Sequence, residues 1–210
     1  MNNTTIIPTG FRMLDALLDG GLEIGTVTVI GSRPGMGKTT LMRNVCGIES
    51  HSFSDTIGRD EKTWTRNPID FVTDELRRFP DVRRKLICID VNADEKARKS
   101  KWRELSFLAK ERGIAVVVSV KLPPSIERRE DKRPILSDFG AGLFGRGGAA
   151  RYADNVIALY RESYYDPLSD WNTPDDAPNA EVIVLKSAGS TGTVRMRFDG
   201  KAQRWSETEE

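Results

Sequence analysis

Three features of the 210-residue sequence predict an α/β fold: a mostly parallel sheet flanked by helices and closed by a C-terminal β-hairpin. The first is a short β-branched strand, Thr26–Ile30, that runs through a glycine-rich turn into helical sequence from Thr39 to Cys46. The second is the pair of apolar runs Leu86–Asp90 and Ile114–Val120, separated by charged helical sequence. Strands covered on both faces read as such continuous runs. The third is the pair Glu181–Lys186 and Thr193–Phe198, joined by Ser187–Gly192, whose small and polar residues suit a hairpin turn.

The remaining elements follow in order. Residues 50–68 are polar with no sustained period and read as an irregular connection. Phe71, Val72, Leu76 and Phe79 fall at helical spacing and predict a short helix over 71–79. Trp102, Leu105, Phe107 and Leu108 give the helix after Asp90 one apolar face, and Gly113 closes it. Proline and charge make 121–134 a loop. Phe139–Gly148 holds five glycines, which leave its backbone free unless a partner orders it. Val156–Tyr160 reads as another strand, and 171–179 as a polar, proline-containing excursion. The expectation is one domain over 1–205 followed by a disordered acidic tail over 206–210.

Composition narrows the function classes. With 32 Lys and Arg against 31 Asp and Glu, net charge is +1, so any nucleic-acid-binding surface must be local. Cys46 and Cys88 lie in apolar runs and suggest two buried free thiols in a reducing compartment. The N-terminal residues lack the basic and apolar regions of a secretory signal. No apolar run approaches the roughly 20 residues that span a bilayer. The expectation is a cytoplasmic protein with no membrane partner.

The turn after the first strand carries the chemistry. Ser32-Arg33-Pro34-Gly35-Met36-Gly37-Lys38-Thr39 follows the phosphate-loop pattern G-x-x-x-x-G-K-S/T, with Ser32 at the first glycine position. Small residues let successive backbone N–H groups wrap a phosphate, and the following helix adds its dipole. Lys38 then reaches the β- and γ-phosphates of ATP, and the Thr39 hydroxyl ligates Mg²⁺. Thr40 completes the cofactor-binding set. The alternative is a glycine turn with a chance lysine. Asp90, ending the second strand, is the candidate carboxylate for the same metal. Its own alternative is a cap on the next turn. Ligand crevices in such sheets lie at the carboxyl ends of strands, which would place Asp90 beside the loop.

Several segments together resemble the C-terminal motor domain of DnaB-type replicative helicases, a RecA-fold family. They are Ile7-Pro8-Thr9-Gly10-Phe11 with Leu14-Asp15 and Gly20-Gly21-Leu22, and then Arg33–Thr39. Asp131–Pro134 with Leu136–Asp138, Ala153-Asp154, Leu159–Glu162 and Tyr164-Tyr165 resemble the late strands and DNA-facing loop. Glu181–Val194 resembles the closing hairpin. The resemblance implies a RecA-like P-loop NTPase that acts on DNA in replication or recombination. It also implies single-stranded DNA as a partner and a homo-oligomeric ring, with a hexamer as the candidate size. Lys132, Arg133 and Arg146 would meet DNA phosphates, and Lys186 would face a neighbour's nucleotide.

The departures from the family point to slow turnover. The family carries a water-activating glutamate on a further strand after the P-loop helix, and the stretch from Lys38 to Asp90 is short for it. Glu49 and Glu61 are nearby and read as surface residues. Lys121 lies where the family has a γ-phosphate-sensing glutamine. Ser187 and Ala188 follow Lys186 where the family places an arginine finger, a group worth about three or more orders of magnitude in rate. The family's N-terminal primase-binding domain is not in the sequence. These points suggest a pared-down domain of viral or mobile-element origin, located in the bacterial host cytoplasm if phage-encoded.

Two other classes stay open: an accessory factor that binds ATP and DNA with weak catalysis, and a metal-dependent nuclease using Asp90 with Asp94 or Asp154. The basic run Lys96, Arg98, Lys99, Lys101 and Arg103, with Asp94, Glu95 and Glu104 beside it, reads as a solvated helix face. His51 reads as a loop residue.

Overall fold

A computed structural model describes residues 5–46, 72, 77, 86–90, 99–140, 148–166 and 178–208. Ile6–Ile7 (β1) pairs antiparallel with Leu22–Glu23 (β2), and helix Arg12–Leu17 (α1) lies between them in sequence. Val27–Ser32 (β3) leads through the phosphate loop into helix Lys38–Cys46 (α2). Leu86–Asp90 (β4), helix Lys99–Arg112 (α3) and Ala115–Lys121 (β5) form the next unit. The single turn Ala149–Tyr152 (α4) precedes Asn155–Tyr160 (β6). Ala180–Lys186 (β7), Gly192–Asp199 (β8) and Arg204–Glu207 (β9) follow.

Seven of these strands make one sheet in the order β4-β5-β3-β6-β7-β8-β9. β4, β5, β3 and β6 run parallel, and β6 to β9 continue as an antiparallel meander. Every residue of β3 and β6 is buried, the polar Thr28, Ser32 and Asn155 among them, as strands covered on both faces are. Side chains alternate between the two faces with period two. On one face Val27, Val29, Val116, Val118 and Ile89 pack with Trp102, Leu105, Leu108 and Ala109 of α3. On the other, Ile30, Ala115, Val117, Ile157 and Leu159 pack with Leu41, Met42 and Val45 of α2. The parallel core therefore lies between α2 and α3, and its strand ends meet at the phosphate loop.

The structure corrects several sequence expectations. Phe107 is 67% exposed. It stands about 200° around the helix from Leu105, so it cannot share the stripe formed by Trp102, Leu105, Leu108 and Ala109. Cys88 is disulfide-bonded, which replaces the free thiol expected there. The loop over 121–134 contains a 3-10 turn, Pro124–Arg128, and a second follows at Leu136–Phe139. Ser206 and Glu207 belong to β9 rather than to a tail, and the Glu207 carboxylate accepts from the Met13 N–H. Val72 and Arg77 are helical, and the rest of the helix expected over 71–79 lies outside the described residues. The connection over 50–68 and the excursion as far as residue 177 also lie outside them. Among the described residues no helix is long and apolar enough to cross a membrane.

Candidate phosphate-binding site

The phosphate loop is shaped by glycine and held from behind by the C-terminal hairpin. Gly35 and Gly37 have φ of 81° and 87°, a left-handed conformation that disfavours side chains. A Cβ on Gly37 would also meet the Phe198 ring at 2.8 Å and the Trp205 ring at 3.0 Å. The Trp205 indole N–H donates to the Gly37 carbonyl at 3.1 Å, and the Trp205 backbone N–H donates to Asn44 Oδ1 at 3.0 Å. Thr40 Oγ1 donates to Gln203 Oε1 at 2.8 Å, so that candidate hydroxyl is engaged by the hairpin. Arg161 stacks over Phe198 at 4.7 Å and reaches the Gly35 carbonyl at 3.4 Å. Sequence reasoning missed Trp205, Gln203 and Arg161, because each acts across more than a hundred residues.

Within the loop the side chains divide by role. Ser32 is fully buried, and its hydroxyl donates to the Arg33 carbonyl at 2.8 Å. Arg33 turns aside: its Nε meets Glu127 at 2.7 Å and its NH1 donates to the Leu122 carbonyl at 2.7 Å. Met36 is a core residue, whereas Pro34 and Gly35 are exposed. Lys38 and Thr39 open α2, where backbone N–H groups lack helical partners and the dipole favours an anion. Lys38 is largely buried there.

Strand register places the other candidates. Asp90 pairs with Ser119, and Ser119 with Ile30, so β5 stands between the Asp90 strand and the loop strand. Asp90 is thus one strand removed from β3 rather than next to it. Lys121 pairs with Ser32, two residues nearer the strand ends. Asp154 lies at the opposite end of the sheet, where its carboxylate accepts from the Val27 N–H at 2.9 Å. Three strand spacings separate β4 from β6, roughly 14 Å. That geometry rules out the Asp90–Asp154 metal pair of the nuclease alternative. Among the described residues no group of three or more His, Cys, Asp or Glu could hold a metal. Asp94, Glu49, Glu61, His51 and Arg146 lie outside those residues, as do Lys96 and Arg98.

The segment before the glycine-rich loop is a braced arm. Arg129 pairs with Asp138 at 2.9 Å and donates to the Arg133 carbonyl at 2.8 Å. Arg133 grips Glu181 with two bonds, 2.7 and 2.8 Å, and its guanidinium lies 4.5 Å from the Tyr160 ring centroid. The Glu181 bonds hold Arg133 above its ordinary pKa, while the Arg133 N–H lowers that of Asp131. Burial, with Glu162 second, pushes the Tyr160 phenol up. Lys132 sits over the Tyr165 ring at 5.2 Å. Phe139 is fully buried against Gly31, where a Cβ would stand 2.2 Å from its ring. Gly148 packs on Gly140, so the two ends of the glycine-rich loop meet. Lys186 donates to the carbonyls of Ala150 and Ala153 at 3.2 and 2.5 Å. The turn after it is pinned to α1: Ser187 Oγ and the Ser190 N–H both donate to the Leu17 carbonyl.

The model of the DnaB-like helicase C terminal domain matches residues 6–59 and 85–207. This chain belongs to that family. The replicative DNA helicase DnaB of Helicobacter pylori strain ATCC 700392 / 26695 is 27% identical over 96% of the chain. That of Haemophilus influenzae is 36% identical over 49% of it. The chain spans 59% of the length of the Helicobacter relative. Among solved structures, one described as an ATPase domain superposes with TM-score 0.70 at 23% identity, covering 99% of this chain and 93% of that one. A DnaB-like replicative helicase whose interactions with primase were described gives TM-score 0.72 at 22% identity, covering 99% and 63%. The KaiC-like protein PH0186 of Pyrococcus horikoshii gives 0.57 at 14%, covering 93% and 96%. The expected α/β, RecA-like fold is thus the one this DnaB-like domain adopts.

Proposed function

We propose that this DnaB-like domain binds ATP with Mg²⁺ at Ser32–Thr40 and couples it to single-stranded DNA in replication or recombination. The observation that carries the reading is convergence at one end of the sheet. Ser32 ends β3, Lys38 and Thr39 open α2, and Asp90 ends β4 one strand away. Loop amides and Lys38 take the phosphates, while Thr39 and Asp90 are the oxygen donors for the metal. Mg²⁺ held there would neutralise charge on the β- and γ-phosphates.

DNA would contact the Phe139–Gly148 loop through Arg146 and Lys132, with Arg133 bracing the arm from its Glu181 pair. Subunits would assemble as a ring. Lys186 would then leave the Ala150 and Ala153 carbonyls to meet a neighbour's nucleotide.

A specific observation favours weak turnover as a second reading. Ala188 lies in the pinned turn where a charged finger would be useful. Steady-state ATP hydrolysis with and without single-stranded DNA separates the two readings. DNA-stimulated turnover lost in Lys38→Ala supports the motor. Nucleotide binding with no turnover above that variant supports the accessory factor.

A further inference from the structure

We propose that the outer face of β8 and β9 is a second contact surface for single-stranded nucleic acid, with Arg195, Arg197 and Arg204 on successive phosphates. The inference rests on the single-stranded DNA reading above and adds a site apart from the glycine-rich loop. Alternation divides the two strands by face. Val194, Met196, Phe198 and Trp205 pack in the α2-side core, so Thr193, Arg195, Arg197, Arg204 and Ser206 share the opposite face. There Thr193, Arg195 and Arg204 are exposed, and Arg197 and Ser206 are half-buried. No apolar side chain of β8 or β9 stands on this face, so it recognises a partner by charge and hydrogen bonds.

The acids of these strands are engaged elsewhere. Glu181, directly opposite Arg195 on β7, has both oxygens held by Arg133 at 2.7 and 2.8 Å. Asp199, opposite Arg204, accepts the backbone N–H groups of Lys201 and Ala202 on Oδ1 at 2.8 and 2.9 Å. Glu207 lies on the other face, where its carboxylate accepts from the Met13 N–H. Among the described residues neither Arg195 nor Arg204 makes a hydrogen bond or ion pair. Register sets the spacing of the row. Arg195 and Arg197 stand about 7 Å apart along β8, and Arg204 lies diagonally across from Arg197 at about 7–8 Å. A row this narrow fits one extended sugar–phosphate chain rather than the two phosphate lines of a duplex, and guanidinium forks suit phosphate oxygens. Arg133, on the arm that precedes the glycine-rich loop, bonds the glutamate beside Arg195. The row therefore continues the cations of the arm, which favours nucleic acid over an acidic polypeptide.

The test is fluorescence anisotropy of a labelled oligothymidylate with the full chain at several salt concentrations. Arg195→Gln combined with Arg204→Gln should leave the melting temperature unchanged and reduce the log–log salt slope by about 1.4, two single-strand contacts. Arg195→Lys with Arg204→Lys should keep the slope. Arg103→Gln with Lys110→Gln removes the same charge from exposed positions on α3 and should also keep it. An unchanged slope in the β8–β9 glutamine variant, or an equal drop in the α3 variant, overturns the proposal. If Arg146→Ala still weakens binding in that case, the DNA reading itself stands. No oligothymidylate binding by wild type overturns both. Labelled polyglutamate is the second probe. Polyglutamate binding lost in the β8–β9 glutamine variant, with oligothymidylate binding kept, assigns the face to an acidic polypeptide and overturns the proposal.

Discussion

The Trp205 indole N–H donates to the carbonyl oxygen of Gly37 at 3.1 Å, tying the final strand to the phosphate loop. Trp205 also packs against Phe198 at a centroid distance of 5.0 Å, behind a glycine that admits no Cβ. Trp205→Phe keeps a ring but loses the bond. It should lower ATP affinity by about threefold to tenfold, the worth of one hydrogen bond. Trp205→Ala should cost about 3–5 kcal/mol of stability, since it opens a cavity in the core. Nucleotide titration and denaturant unfolding read the two effects separately. An affinity unchanged in Trp205→Phe would mean the loop holds its shape unaided.

Gly31→Ala should destabilise the domain by about 1–3 kcal/mol or more through overpacking, because the new methyl would meet the Phe139 ring at 2.2 Å. Phe139→Leu in the same chain should recover part of that loss, giving a coupling term in a double-mutant cycle. Strict additivity in unfolding experiments would show that the ring is not what excludes a side chain at Gly31.

The cations of the arm should separate by role. Arg133→Ala leaves Glu181 without its two-bond partner, and should lower the melting temperature. Lys132→Ala and Arg146→Ala should leave melting unchanged but weaken single-stranded DNA binding evenly across sequences. Each should reduce the log–log salt slope by about 0.7, one phosphate contact. Anisotropy at several salt concentrations checks this; unchanged slopes in both variants would remove the loop from the DNA site.

Lys186 caps the end of α4 through the Ala150 and Ala153 carbonyls. Lys186→Met should therefore cost about 1 kcal/mol or more in the isolated chain, since it deprives two carbonyls of a charged donor. If Lys186 also meets a neighbour's nucleotide, the variant should weaken ATP-dependent assembly in analytical ultracentrifugation. Assembly equal to wild type would confine the residue to its capping role.

The parallel core is legible in the sequence because its strands are buried on both faces: β3, β5 and β6 appear as short, mainly apolar and β-branched segments rather than as apolar–polar alternation. β9 is not, because Arg204-Trp205-Ser206-Glu207 offers one apolar side chain and lies in a polar terminus. The turn from β3 into α2 is local in sequence, so the loop over 32–39 is legible directly as strand, glycine turn and helix start. The order of strands is not local, and the position of β5 between Asp90 and the loop emerges only from the pairing. Arg133 is visible as a cation, but its partner Glu181 lies 48 residues away and belongs to β7. Phe107 falls on the wrong face when a cluster of apolar residues is read without its angular spacing.

The central claim is that the loop binds ATP–Mg²⁺ through Lys38, and calorimetric titration of ATP with and without Mg²⁺ tests it most directly. The account predicts one site per chain in wild type, lost in a folded Lys38→Ala. It also predicts a weakened Mg²⁺ dependence in Asp90→Asn. Superimposable isotherms for wild type and folded Lys38→Ala would contradict it.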